Sequence, residues 1–398
     1  MNNLKIRQYI RTSIVIVFSM MLGSIITMFL KDSDIKSENC EMASGNSYSE
    51  FEPLYEAYER IKGEYYEKTS TSELVDGAIT GMLNSLGDKH TMYFNKDAKT
   101  EFEQELSGSY FGIGAEIQLN EDKTVSIKKI FDESPAEKAG LKVNDIFISI
   151  DGKSTEGKNA SEVANMLKSS KIKTSTIVIK RDNEEKTIKV KKENITLFSV
   201  NSEMMVVGKK KIGYIGVNLF GQKTYDQFSS ALNKLEKDDM DSLIIDLRGN
   251  SGGYLTTVTQ MLSIFFDRDT VIYKMKTKDK IEEFKSIYPG QKKYKVVILI
   301  DENSASASEI MAGAMKEKYG ATLVGKTTYG KGTVQSTADL SDGTMIKYTI
   351  QEWLTPNGES VTDKGIKPDY EVDLSEEYKK NPNNDNDDQL KKALELLK

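Results

Sequence analysis

The spacing of apolar residues changes twice along this chain, and each change limits what it can fold into. From Phe51 to Ile61 apolar side chains recur every three or four residues (Phe51, Leu54, Tyr55, Tyr58, Ile61), the pattern of one buried helix face. A second helix is predicted over residues 72–86, with Ser72 as its cap and Gly87 as its stop. After Gly108 the period drops toward two: Ala115, Ile117 and Leu119, then Val125, Ile127 and Ile130, alternate as half-buried strands do. From Ile212 onward strands (212–218, 242–247, 295–300, 322–325) take turns with helices (224–235, 254–266, 306–319). That order specifies an α/β core, so the fold class is α/β in a multidomain α+β chain. A last helix over 388–397 carries Leu390, Ala393, Leu394 and Leu397 on one side.

The N-terminus has a different character. Lys5, Arg7 and Arg11 precede residues 12–30, which hold no charge and, as a helix, would span roughly 28 Å, close to a bilayer core. Basic residues before the stretch and Asp32, Asp34, Glu38 and Glu41 after it place residues 1–11 in the cytoplasm. No Ala-x-Ala-like site follows Leu30, so an uncleaved anchor is favoured over a signal peptide, and both export the rest. The expected organisation is a cytoplasmic N-terminus (1–11), a single membrane span (12–30), a polar linker (31–47) and a helical region (48–107). A strand-rich unit (108–193), the α/β core (194–374) and a tail with its helix (375–398) follow. The net charge of −6 comes with Lys and Glu interspersed, so nucleic acid is not an expected partner. Cys40 is the sole cysteine and His90 the sole histidine, which leaves no metal cluster and no expected cofactor.

A serine hydrolase needs a base beside its serine, and imidazole is nearly absent here. Ser304-Ala-Ser306-Ala-Ser308-Glu309 is followed downstream by Tyr329-Gly330-Lys331-Gly332-Thr333-Val334-Gln335, a lysine between two glycines with no other charge from Thr327 to Ala338. A lysine whose pKa is lowered by burial can serve as base. Ser306-x-x-Glu309 also reads as a capping box, a role compatible with catalysis, because free N–H groups at a helix start can stabilise an oxyanion. Gln335 could orient the lysine, and Gly249-Asn-Ser-Gly252-Gly253 forms a strand-to-helix turn whose N–H groups could face an oxyanion. His90 lies in a separate segment and reads as structural. Gly320-Ala-Thr-Leu-Val-Gly325-Lys326-Thr327 fits a Walker A pattern, but its middle is strand material and no helix follows it.

Two resemblances follow from these motifs. Residues 108–193 resemble a PDZ domain through Phe111-Gly112-Ile113-Gly114, Ser134-Pro-Ala…Ala139-Gly-Leu141 and Asn144-Asp-Ile146. In PDZ domains such a loop gives backbone N–H groups to a peptide's terminal carboxylate, which implies that Phe111, Gly112, Ile113 and Gly114 bind substrate tails. From about residue 50 to the end the chain resembles the carboxy-terminal processing proteases, which are tail-specific Ser-Lys peptidases. The resemblance rests on Gly87-Asp-x-His90-Thr-x-Tyr93, Asp246-Leu-Arg-Gly-Asn250-x-Gly252-Gly253, the serine and lysine segments, and Leu354-Thr-Pro-Asn-Gly358. It implies Ser306 as nucleophile, Lys331 as general base and Gln335 as the residue orienting it. Ala307 N–H with Gly252 or Gly253 N–H would form the oxyanion hole. Ser251 departs from the family's usual proline.

The expected protein is therefore an extracytoplasmic serine endopeptidase anchored in the cell membrane, whose partners are protein or peptide substrates met by their C-termini. Pairing with a second copy is left open. The alternatives are a catalytically silent PDZ scaffold or a carrier on the same fold.

Overall fold

The computed structural model describes residues 49–168, 173–290, 292 and 294–398. Residues 1–11, the expected span at 12–30 and the linker at 31–47 lie outside them. Among the described residues no helix is long and apolar enough to cross a membrane.

The chain divides into two units that part at Ala78. The first holds helix α1 (Glu52–Glu64) and the start of α2 (Thr71–Asn84). The predicted period does form a helix at α1, but the face expected to be buried is not: Phe51, Leu54, Tyr55 and Ile61 are all exposed. Periodicity reports which face is apolar, not whether anything covers it. The cap of α2 is Ser70 rather than Ser72, its hydroxyl accepting from Glu73 N–H at 3.4 Å.

The second unit opens with strand β1 (Met92–Phe94) and helix α3 (Lys96–Ser107), which leads into β2 (Ser109–Gly112). Strands β3 (Ala115–Leu119), β4 (Val125–Ile130), β5 (Ile146–Ile150), β6 (Lys153–Ser154), β7 (Thr174–Arg181) and β8 (Glu184–Lys191) build one antiparallel sheet. Helices α4 (Pro135–Lys138) and α5 (Ala160–Lys168) accompany it over a core of Ile127, Phe147, Ile150, Val163, Ile177 and Ile179. The Asn144-Asp145-Ile146 motif has a physical basis. Buried Asp145 takes two hydrogen bonds from Arg181, each 2.6 Å, and one from Lys142 N–H at 2.8 Å. Strand β9 (Glu193–Thr196) then returns to pair with β2.

The core sheet follows. Strand β10 (Val200–Val207) runs antiparallel to β11 (Lys210–Val217), and after helix α6 (Thr224–Lys237) strand β12 (Ser242–Asp246) lies parallel to β11. Helix α7 (Leu255–Leu262) leads to a hairpin of β13 (Val271–Lys276) and β14 (Ile281–Lys285). Then come β15 (Lys295–Ile300), helix α8 (Ala307–Ala314) with a π-helical turn to Tyr319, and β16 (Thr322–Gly325). The sheet order is β10-β11-β12-β15-β16-β19, where β19 is Tyr370–Glu371. Between them β17 (Thr333–Asp339) and β18 (Met345–Leu354) join β1, β13 and β14 in a second sheet that periodicity did not indicate. After the short α9 (Glu376–Lys380), helix α10 (Asp388–Leu397) lays Leu390, Ala393 and Leu397 on the core sheet against Ile244, Val297 and Leu299. Of the Walker-like pattern, Thr322–Gly325 form strand β16 rather than a loop, and Lys326 pairs with Glu371 and Asp373.

Candidate active site

Parallel strands of an α/β sheet present their carboxyl ends, and the loops leaving those ends gather side chains at one edge. Here the loop after β12 carries Gly249–Gly253 and the loop after β15 carries three serines. Ser304 is fully buried, its hydroxyl 2.8 Å from the Leu247 carbonyl and 3.0 Å from the Asp301 carboxylate. Ser308 is equally buried and donates to the Asn250 carbonyl at 2.8 Å. Both hydroxyls are committed to holding the two loops together. Ser306 is half-buried and lines a cleft of ≈ 860 Å³. Its backbone sits at φ 55°, ψ −114°, a conformation that costs a non-glycine residue about 1–3 kcal/mol and persists only where the surroundings enforce it.

What enforces it is Glu309. This carboxylate, with no solvent exposure, accepts from Ser306 N–H at 2.8 Å and Lys331 N–H at 2.9 Å on one oxygen. The other oxygen accepts from the Thr328 hydroxyl at 2.6 Å and Gly330 N–H at 2.7 Å. The expected capping box of Ser306 and Glu309 is present, and Glu309 N–H also reaches the Ser306 carbonyl at 2.9 Å. One buried anion thus ties the backbone of the serine to the backbone of the lysine.

The Lys331 side chain lines the same cleft as Ser306. Burial pushes its amine below the ordinary lysine range, and the Lys347 cation adds to the effect against the opposing pull of Glu309 and Asp88. Lys347, on β18, is itself lowered by burial, and its Nζ lies 5.4 Å and 5.2 Å from the ring centres of Phe94 and Phe102. Gln335 also lines the cleft, and its amide nitrogen donates to the hydroxyls of Thr333 at 2.9 Å and Thr349 at 3.2 Å. A Cβ on Gly332 would meet the Thr362 hydroxyl at 2.2 Å, which explains one of the two glycines flanking the lysine.

Opposite the lysine stands the glycine turn. Gly252 (φ 111°) packs so closely that a Cβ would lie 2.8 Å from that of Ser306, so only glycine fits. Its N–H is taken by the Asn250 side chain at 2.9 Å, whereas no acceptor among the described residues meets the N–H of Gly253 or Ala307. Asn250 also donates to the Val217 carbonyl at 2.8 Å, fixing the turn to the end of β11.

A second groove, of ≈ 500 Å³, runs between the free edge of β3 and helix α5, and Gly112 and Ile113 line it. Phe111 does not, and Gly114 (φ 77°) sits at the head of the strand. Tyr110 lies across the groove: a Cβ on Gly112 would be 2.5 Å from its ring, and its hydroxyl faces the N–H groups of Gly114 and Ala115. Helix α3 borders both hollows, since Glu105 lines the groove and the cleft alike.

A family model described as peptidase family S41 matches residues 211–372. A PDZ model matches 127–181, and one for the N-terminal domain of the activating protease CtpB matches 18–98. The carboxy-terminal processing protease CtpB of Bacillus subtilis is 38% identical over 333 residues, which cover 83% of this chain and 69% of that one. The chain belongs to peptidase family S41. A Staphylococcus haemolyticus protein named “Probable CtpA-like serine protease” is 37% identical over 81% of this chain, which spans 65% of that protein's length. The solved structure of a photosystem II D1 C-terminal processing protease superposes with TM-score 0.49 at 24% identity, over 81% of this chain and 86% of that one.

Within this S41 chain the structure brings Ser306, Lys331, Gln335, Gly252 and Gly253 around one cleft. Sequence reasoning passed over Glu309 except as a cap, and Lys347 and Thr349 altogether. It also set His90 apart, yet its ring meets Tyr329 edge-on with centres 6.5 Å apart, and the Lys331 charge adds to burial in lowering its pKa. The Gly87-Asp88-x-His90-Thr91 motif was the available signal, because a patterned loop without its own core needs a partner elsewhere.

Proposed function

We propose that this chain is an extracytoplasmic serine endopeptidase that cleaves proteins presented by their C-terminal tails. The observation that carries the reading is the shared cleft: one serine hydroxyl whose proton no acceptor among the described residues takes and one lysine with a lowered pKa, locked backbone to backbone by Glu309.

Neutral Lys331 takes the Ser306 proton, and the Ser306 oxygen bonds to the scissile carbonyl carbon. Negative charge develops on the carbonyl oxygen, where the N–H groups of Ala307 and Gly253 are free to donate. The C–N bond breaks as the Lys331 ammonium protonates the leaving amine. Water, deprotonated by Lys331, then attacks the acyl ester and releases the acid, and the proton returns to Ser306. Gln335 orients the lysine throughout.

The tail is proposed to add as a strand to β3, with its carboxylate on the N–H groups of the Phe111–Gly114 loop and Ala115, of which Tyr110 faces those of Gly114 and Ala115. Residues 12–30 and their flanking charges support a single membrane anchor with the catalytic part outside the cytoplasm. The exposed apolar face of α1 supports pairing with a second copy.

The test is cleavage of an extended peptide with a free carboxyl terminus, followed by mass spectrometry, beside its C-terminally amidated twin. Cleavage that weakens on amidation and disappears in folded Ser306→Ala supports the reading. Binding without cleavage by the intact protein would support the scaffold alternative, and equal cleavage of both peptides would remove tail recognition.

A further inference from the structure

The order of donors and acceptors behind Gln335 is fixed by a residue far away in sequence. We infer that Asp88, acting through the Thr349 hydroxyl, sets which end of the Gln335 amide faces the cleft, making Asp88 and Thr349 positioning residues for the Lys331 base. The inference rests on the Ser306–Lys331 reading above and adds two residues to it.

Asp88 accepts three hydrogen bonds: from Thr349 Oγ1 at 2.5 Å, Thr91 Oγ1 at 2.6 Å and His90 N–H at 2.9 Å. Burial pushes its carboxyl up, but these donors outweigh burial and hold it below the usual carboxylate range. An ionised carboxylate can only accept. The Thr349 hydroxyl must therefore point its single proton at Asp88, which leaves only lone pairs for its other neighbour. That neighbour is the Gln335 side chain at 3.2 Å, which must present its NH₂ group. The second NH₂ proton goes to Thr333 Oγ1 at 2.9 Å. With both donors spent, the amide's remaining polar atom is Oε1, an acceptor. A neutral lysine base needs an acceptor for an N–H so that its lone pair can point at the serine.

Two further contacts hold the relay in register. Thr349 N–H donates to Thr91 Oγ1 at 3.2 Å, and β1 pairs with β18 from Met92 opposite Lys347 to Phe94 opposite Met345. The loop at residues 87–91 is thus seated on the strand that carries Thr349. The charged groups around Lys331 are Lys347 of β18, Glu309 of α8 and Asp88 itself, with His90 beside Tyr329. Because the chain of hydrogen bonds ends on an anion, its direction cannot reverse while Asp88 stays ionised. An amide in place of Asp88 could donate to Thr349, turn its hydroxyl round and flip Gln335.

The experiment compares Thr349→Val, Thr349→Ser, Asp88→Asn and the double variant Thr349→Val/Asp88→Asn as intact proteins, by kcat and KM on one peptide across pH and by thermal melting. Thr349→Val should lower kcat, by up to about 100-fold if the base is misaligned, with KM little changed. Thr349→Ser, which keeps the hydroxyl, should restore it. Asp88→Asn should lose kcat to a similar extent, with its pH profile moved to lower pH because one anion near Lys331 is gone, and the kcat of the double variant at its plateau should be no worse than that of the poorer single one, because both act through one amide. Folded Thr349→Val with wild-type kcat, additive losses, or a serine variant as poor as valine would overturn the relay. Failure of the underlying reading shows differently, as activity retained in Ser306→Ala.

Discussion

Replacing Glu309 with Gln tests how much of the site is held by one buried anion. The change alters almost no volume, so packing stays as it is and only the donors and acceptors shift. The NH₂ group of Gln cannot sit at the oxygen that takes Ser306 N–H and Lys331 N–H, because both are backbone donors fixed in place. It must take the other position, where Thr328 can turn its hydroxyl but Gly330 N–H cannot turn. One buried donor is then left unpaired, costing about 1–3 kcal/mol, and the remaining bonds fall from charge-assisted to neutral strength, roughly 1 kcal/mol each. The sum is about 4–6 kcal/mol, a large part of the 5–15 kcal/mol by which domains are typically stable. Denaturant unfolding at constant m-value measures it, and a peptidase assay on the folded fraction reads the effect on the serine. Glu309→Ala should be worse, since four donors lose their acceptor. A Glu309→Gln protein that unfolds at the wild-type midpoint and keeps full activity would refute the claim that this carboxylate holds the serine and lysine together.

Three further outcomes are expected. Ser306→Ala and Ser306→Gly should both be inactive, but the glycine variant should be more stable than the alanine variant by about 1–2 kcal/mol, because φ 55° suits glycine and strains alanine; equal midpoints would speak against backbone strain. The base form of Lys331 fills as pH rises through its lowered pKa, so activity should climb and level off below the pH of an ordinary lysine; Lys347→Met removes a neighbouring cation, raises that pKa and moves the climb to higher pH, and an unmoved profile would exclude the coupling. Tyr110→Phe should tighten binding of a free-carboxyl peptide by about three- to tenfold, since the phenol oxygen no longer faces the Gly114 and Ala115 N–H groups; fluorescence anisotropy reads this, and weaker binding would mean the hydroxyl helps the ligand.

Local signals made several elements readable. Strands β15 and β16 have the bounds that their uninterrupted apolar runs indicate, and helix α10 those that its one-sided apolar pattern and cap indicate. The serine and lysine were legible because each sits in a distinctive turn. What could not be read is whatever depends on pairing across long separations. The sheet of β17, β18, β13, β14 and β1 brings Lys347 to the cleft of the lysine and Thr349 to Gln335, yet nothing near Lys347 differs from the chain's many surface lysines. The Asn/Asp-rich run before α10 carries no local pattern that indicates order. Its last member, Asp387, is nonetheless buried, caps that helix through Leu390 N–H at 2.9 Å and pairs with Arg248 at 2.8 Å. Exposure of the α1 face, by contrast, is a fact that no periodicity can supply.

The ladder of β2 and β9 bears on how this S41 chain could be re-engineered. Gly112 stands directly opposite Glu193, and three more pairs below it run to Ser109 opposite Thr196. Everything between, the whole sheet of β3–β8 with its own core, is an excursion that leaves and returns through neighbouring strands. A two-residue turn could close that ladder, as in an ordinary hairpin. The β3–β8 unit is therefore a cassette: it could be excised at Gly112 and Glu193, or exchanged for another small domain with adjoining ends, while the core strands around Ser306 and Lys331 keep their connectivity. The backbone of this chain passes between the β3–β8 unit and the core through one ladder four residue pairs long.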